Sequence, residues 1–316
     1  MIATTLSQLD YPFLGSMSPY ADEADNRSLD WAHCFNLIRE SDLTHADRLH
    51  YGLLAAHAYP TARSVEQLQI AADWISWLFL MDDHVDEAGI GRDVEQLTQL
   101  HNRFVAVLQG DEPTVDDWSL THALSELRGR MLNYADTTWL RRFSRHAELY
   151  FHANCWEASN RETGLTPTLE TYYVARRFTG AVYACFDLIQ ITDKVHLPFY
   201  VLHHPVVEEI TSVANNLICW CNDILSYTKE MQQGDVHNLV LIVQHEQQVS
   251  LSDAVTQAVA IHNTETDRFM SLIDELPRFD IAIDGGLAHY VIGLQHWIRA
   301  NLDWSRTALR YMSKDQ

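Results

Sequence analysis

Glycine and proline are scarce, twelve and eight among 316 residues. That is about half the share of an average globular protein. A β-rich or loop-rich fold needs both residues for its turns, so the shortage favours helices. Basic residues are also few: 22 against 43 acidic ones, a formal net charge of −21. Such a surface repels nucleic-acid backbones and anionic membranes, and an anionic substrate would need metal ions or a local cluster of cations. The five cysteines, Cys34, Cys155, Cys185, Cys219 and Cys221, are odd in number and form no CxxC pair. They read as reduced cytosolic thiols. No basic stretch precedes an apolar one at the N-terminus, so no secretory signal is visible. The longest apolar run, around Trp74–Met81, falls far short of the roughly 20 residues that cross a bilayer. A soluble cytoplasmic protein is expected, with no nucleic-acid partner and no membrane insertion.

Repeats, low-complexity tracts and linkers are missing as well. What the chain does have is 47% hydrophobic residues, enough for a large core. Residues 1–27 read as an irregular N-terminal segment with an acidic stretch at Asp22, Glu23 and Asp25. Beyond them apolar residues recur at three- and four-residue spacing. This pattern predicts helices near 29–40, 46–58, 65–86, 92–108, 117–133, 138–162, 169–193, 206–232, 252–276 and 285–312. Ser64 with Gln67 makes a capping box, Thr168 starts another helix, and Asp116-Asp117 reads as a further start. Short connections and no strand alternation point to an all-α bundle, one domain over residues 1–316.

Two polar clusters interrupt the apolar pattern. Trp74–Met81 runs directly into Asp82-Asp83-His84-Val85-Asp86-Glu87. Asp82 and Asp86 lie about 40° apart around a helix, so both carboxylates can face one site, whereas Asp83 is turned about 100° away. Crowded carboxylates repel unless cations sit among them, and hard oxygen ligands suit Mg²⁺. The alternative is an exposed acidic helix end, since a DDxxD arises by chance in roughly one chain in six of this composition. Asn222, Ser226 and Glu230 follow at i, i+4 and i+8, drifting only about 80° in total, so they share one helix face. Two longer side chains flanking a short hydroxyl suit a single cation. This pattern is rarer, roughly one chain in fifty by chance.

With both clusters in view, the chain resembles a class I terpene synthase, a terpene cyclase of the microbial type, most like sesquiterpene synthases. DDHVD at 82–86 and NDILSYTKE at 222–230 look like that family's two metal motifs. Arg176-Arg-Phe-Thr179-Gly180, Gly234–Val240 and Arg310-Tyr311 are similar to further family segments, in the same order. The resemblance implies a helical bundle around an apolar cavity and three Mg²⁺. Asp82 would hold two ions, with Asp86 at or just behind them, and Asn222, Ser226 and Glu230 the third. Arg176, Lys229, Arg310 and Tyr311 would bind diphosphate, and Asp83 would pair with Arg310 on closure. Thr179 would link Arg176 to Gly180, whose carbonyl would orient cationic centres; a glycine there would let the helix break. Leu78, Phe79, Phe178, Tyr183 and Trp297 would line the pocket, with ordinary core packing as the alternative for each aromatic.

The implied reaction is ionisation of an isoprenyl diphosphate, most readily farnesyl diphosphate, and cyclisation of the cation. Geranylgeranyl diphosphate, and less so geranyl diphosphate, are alternative substrates. A chain-elongating prenyltransferase and a non-catalytic helical binding protein are the rival readings. Monomer and homodimer stay open. His84 is read as solvated or ion-paired, Arg141, Arg142 and Arg145 as surface ion pairs, and Cys219 and Cys221 as core.

Overall fold

The computed structural model describes residues 8–38 and 50–307. Arg310 and Tyr311 lie outside them. Among the described residues there is no strand. The helices are α1 (Ala21–Cys34), α2 (Tyr51–Ala58), α3 (Val65–Glu87), α4 (Val94–Gln109), α5 (Ser119–Met131), α6 (Thr137–Thr163) and α7 (Leu169–Thr179). They continue with α8 (Val182–Thr192), α9 (Phe199–Leu202), α10 (Pro205–Gln233), α11 (Leu239–Gln247), α12 (Leu251–Asp274) and α13 (Ile281–Thr307). No described helix is long and apolar enough to cross a membrane.

The helix starts follow local chemistry, with some departures from the sequence reading. Ser64 accepts from the Gln67 amide at 3.4 Å. The glutamine side chain does not close the box, however, because its Nε2 donates to Ile191 O at 2.7 Å. Thr168 caps α7 through the Thr171 amide. The irregular segment is shorter than residues 1–27: α1 begins at Ala21, and Asp22 and Glu23 fill its first turn, where negative charge suits the helix dipole. Asp117 does not start a helix. It takes Nε and Nη2 of Arg103, both at 2.8 Å, and α5 begins at Ser119. The short helices α9 and α11 have no counterpart in the periodicity reading, and the predicted helix 169–193 is two, α7 and α8.

The chain divides into two compact units. One comprises Met17–Gly164 and Tyr183–Lys194. Here α3 packs against α1, α2 and α5, and α4 against α5 and α6. Its core is aromatic: Trp74 and Trp77 stack with centroids 5.5 Å apart, and Phe143, Phe104 and Phe151 meet them edge-on. Burying two indoles on successive turns is what fixes α3, and with it the carboxylates at its end.

The second unit takes in the described parts of 1–16, 165–182 and 195–316. Its axis is α10, which contacts α7, α11, α12 and α13. This helix is buried almost continuously from Val213 to Tyr227, with Asn222 the half-buried exception. It ends at Gly234, whose φ of +75° lets the chain reverse without a Cβ clash.

Candidate active site

In the first unit the aspartate motif occupies the last turns of α3. Asp82, Asp83 and His84 are half-buried, Val85 is buried and Asp86 is exposed. The Tyr150 hydroxyl of α6 donates to Asp82 Oδ1 at 3.0 Å. Burial first, and the nearby Asp82 charge second, raise this phenol well above its ordinary range, so it stays a donor. His84 has its Nδ1 2.7 Å from Leu80 O of its own helix, a contact the sequence reading did not include. One turn before Asp82, Leu78 and Phe79 are half-buried, and Phe79 stacks on Tyr51 at 4.4 Å.

Tyr183 is half-buried, its ring centroid 5.4 Å from that of His146. Asp187 holds the His146 Nδ1 at 2.7 Å and takes Nε of Arg142 at 2.6 Å. Arg142 is therefore no surface ion pair, because its partner is a buried carboxylate. Burial pushes the Asp187 carboxyl up, but His146 and Arg142 pull it below the usual range. Arg145 does match its reading, pairing with Glu148 at 2.6 Å on the surface.

In the second unit the structure brings Arg176, Thr179 and Asn222 together. Arg176 donates from Nη1 to Thr179 Oγ1 at 3.1 Å and from Nη2 to Asn222 Oδ1 at 3.2 Å. Ser226 is buried and donates to Asn222 O at 2.8 Å. Glu230 accepts from Asn238 Nδ2 at 2.8 Å, and the same amide cluster reaches Asp223 O. Burial, then the Asp223 charge, push the Glu230 carboxyl up to about 7, while hydrogen bonds from Ser226 and Asn238 pull the other way. Lys229 is exposed, Phe178 is half-buried and Trp297 is buried in α13.

These donors fit Mg²⁺. Asn222 and Ser226 offer neutral oxygens, and Glu230 is a carboxylate whose negative charge burial disfavours, a penalty that a cation beside it offsets. Among the described residues no three His, Cys, Asp or Glu side chains gather to hold a metal. Mg²⁺ usually takes only one or two carboxylates and completes its shell with substrate oxygens and water.

The break between α7 and α8 has a different cause from the one expected. Gly180 sits at φ −85°, a conformation open to any residue, and it is Ala181 that adopts the left-handed φ of 56°. What Gly180 supplies is room: a Cβ there would lie 2.6 Å from Cys219 Sγ. Cys219 and Cys221 are buried, as read from the sequence.

Sequence reasoning gave no role to Asp223, Tyr172, Asn238 or Tyr150. For Asp223 a signal existed, since a carboxylate on the apolar face of a buried helix needs partners. For Tyr150 there was none, because its contact with Asp82 spans 68 residues of sequence.

Known proteins resemble this chain along most of its length. The family model "Terpene synthase family 2, C-terminal metal binding" matches residues 73–268, a span that includes residues 82–86 and 222–230. A (+)-T-muurolol synthase from Roseiflexus castenholzii, named as cyclising (2E,6E)-farnesyl diphosphate, is 53% identical over 305 residues, 96% of this chain and 93% of the relative. A germacrene A synthase from Nostoc punctiforme is 35% identical over 301 residues, 95% of this chain and 93% of the relative. The crystal structure of germacradien-4-ol synthase from Streptomyces citricolor superposes with a TM-score of 0.82 at 28% identity, covering 94% of this chain and 97% of that one.

Proposed function

Because the chain belongs to terpene synthase family 2, and so is an enzyme of the carbon–oxygen lyase type, we propose that it cyclises farnesyl diphosphate to a sesquiterpene hydrocarbon or alcohol and releases diphosphate. The observation that carries this reading is the placement of Arg176 against Asn222: a nearly buried guanidinium beside a metal-type oxygen, in a chain otherwise poor in cations. A diphosphate leaving group is the ligand that suits both at once.

In this reading both units form one catalytic domain. Asp82 would hold two Mg²⁺, with Asp86 at or just behind them, and Asn222, Ser226 and Glu230 would hold a third. When bound, these ions supply Lewis-acid neutralisation of the departing diphosphate. The chain's own residues do the rest. Arg176 and Lys229, with Arg310 and Tyr311 beyond the described residues, bind the diphosphate oxygens. Tyr150 keeps Asp82 oriented. Asp83 pairs with Arg310 on closure, while Thr179 and the Gly180 carbonyl relay and orient. Leu78, Phe79, Phe178, Tyr183 and Trp297 exclude water from the cation and present aromatic faces to it. The enzyme acts in the cytoplasm.

The test is incubation of purified protein and Mg²⁺ with farnesyl, geranyl or geranylgeranyl diphosphate supplied singly, read by gas chromatography–mass spectrometry. Cyclic C15 product is expected from farnesyl diphosphate alone, with Asp82→Ala and Asn222→Ala each lowering turnover by about a hundredfold or more. Product that forms only when isopentenyl diphosphate is added would overturn the proposal.

A further inference from the structure

Asp223 stands next to a metal-type ligand in sequence but about 100° around the helix from it, so it belongs to another face. Its side chain is 1% exposed. A carboxylate so buried survives only with partners on both oxygens. Oδ2 accepts from the Tyr172 hydroxyl of α7 and from the Leu239 amide that opens α11, the latter at 3.1 Å. Oδ1 accepts from Arg176, Nε at 3.1 Å and Nη2 at 2.9 Å. One oxygen is therefore anchored to the scaffold and the other is held out to the guanidinium.

We propose that Asp223 is a positioning residue that fixes the Nε edge of Arg176 so that its Nη1 and Nη2 hydrogens stand ready for diphosphate oxygens. This deepens the reading of the previous subsection and rests on it.

The division of labour follows from the contacts. Arg176 makes two kinds of hydrogen bond. Those to Asp223 are charge-assisted at both ends. Those to Thr179 at 3.1 Å, Asn222 at 3.2 Å and the Cys219 carbonyl at 3.5 Å are to neutral acceptors, and none is as short as the 2.9 Å Nη2 contact with Asp223. The guanidinium is charged in every case, but only Asp223 also brings a full negative charge, so its bonds are the stronger set. A diphosphate oxygen entering the second unit displaces the weak set and leaves the strong set in place. The guanidinium then needs no large reorientation, and the ordering of a long flexible side chain is already complete before binding. The same exchange also lifts an N–H from Asn222 Oδ1, the oxygen a cation would take. Asp223 thereby ties the arrival of the anion to the availability of the Asn222 oxygen, through one guanidinium.

A plain structural staple between α7 and α10 would use the same ion pair, so the test must separate the two roles. The experiment is a double-mutant cycle between Asp223→Asn and Arg176→Ala. Its readout is calorimetric affinity for inorganic pyrophosphate in the presence of Mg²⁺, with thermal midpoints recorded for every variant. With Arg176 present, Asp223→Asn is expected to weaken pyrophosphate at least tenfold. In the Arg176→Ala background the same change is expected to alter affinity by less than about twofold. Tyr172→Phe, which removes one partner of Oδ2 and no charge, is expected to give a smaller loss that also vanishes without Arg176. It serves as the second variant should Asp223→Asn fold poorly. Equal losses in both backgrounds, an affinity loss that merely follows the fall in thermal midpoint across the variants, or an unchanged affinity in both Asp223→Asn and Tyr172→Phe, would overturn the assignment. Wild-type turnover of farnesyl diphosphate separately decides the underlying function, so the two failures are distinguishable.

Discussion

Gly180→Ala would place a methyl group in the close approach between Gly180 and Cys219. The Gly180 backbone at φ −85°, ψ −4° accepts alanine without strain. On that ground alone, replacing glycine would stabilise the fold by about 0.4–1 kcal/mol through the unfolded chain. The new methyl, however, would lie 2.6 Å from Cys219 Sγ. This is about 1 Å inside ordinary contact. The sulfur has little room to retreat: Cys219 is 1% exposed, its Sγ donates to Asn215 Oδ1 at 3.1 Å, and Asn215 in turn donates to Arg177 O at 2.8 Å. Overpacking of this kind costs about 1–3 kcal/mol. A loss of several degrees in Tm is therefore expected. The decisive comparison is Gly180→Ala in a Cys219→Ala background, where the obstructing sulfur is gone. There the same change is expected to be neutral or slightly stabilising, a coupling of about 1–3 kcal/mol between the two sites. Thermal and urea unfolding of the four proteins measures it. An equal penalty in both backgrounds would refute the steric account and return the glycine to a conformational role.

Two further predictions concern other parts of the molecule. Tyr150→Phe removes the donor to Asp82 Oδ1 while keeping the buried ring. The Mg²⁺ concentration for half-maximal activity is expected to rise about 10–100-fold, and an unchanged Mg²⁺ titration would show that the hydroxyl does not orient the ligand. Burial holds His101 and His262 down at about 4, against an ordinary 6.5. The fold prefers their neutral form, so this stability is whole above about pH 6.5 and is lost as pH falls towards 4, at about 1.4 kcal/mol per unit for each histidine. His262→Gln should remove its share of the slope in urea-unfolding free energies between pH 7 and 4.5, and an unaltered slope would sink the assignment.

The candidate site was legible wherever its pattern follows a helical repeat. Asp82 and Asp86, and the Asn222–Ser226–Glu230 ladder, are local patterns whose angular spacing is set by the backbone alone. Capping at Ser64 and Thr168 was legible for the same reason, because the partner amides lie three residues away. Where a side chain had a choice of partners, the sequence misled. Asp117 had the composition of a helix start and instead took Arg103, and Arg142 looked like surface charge and instead met Asp187.

The all-α class, the spans of α3, α6, α10 and α12 and the two oxygen-rich faces were thus determined by the sequence itself, because each depends on residues within a turn or two of one another. The tertiary structure alone decided which buried hydroxyl supports which carboxylate, Tyr150 for Asp82 and Tyr172 for Asp223. It alone revealed that Gly180 is needed for the space beside Cys219 and that the left-handed residue is Ala181. Such contacts join segments tens of residues apart, and their geometry is set by how helices pack, which no local spacing encodes.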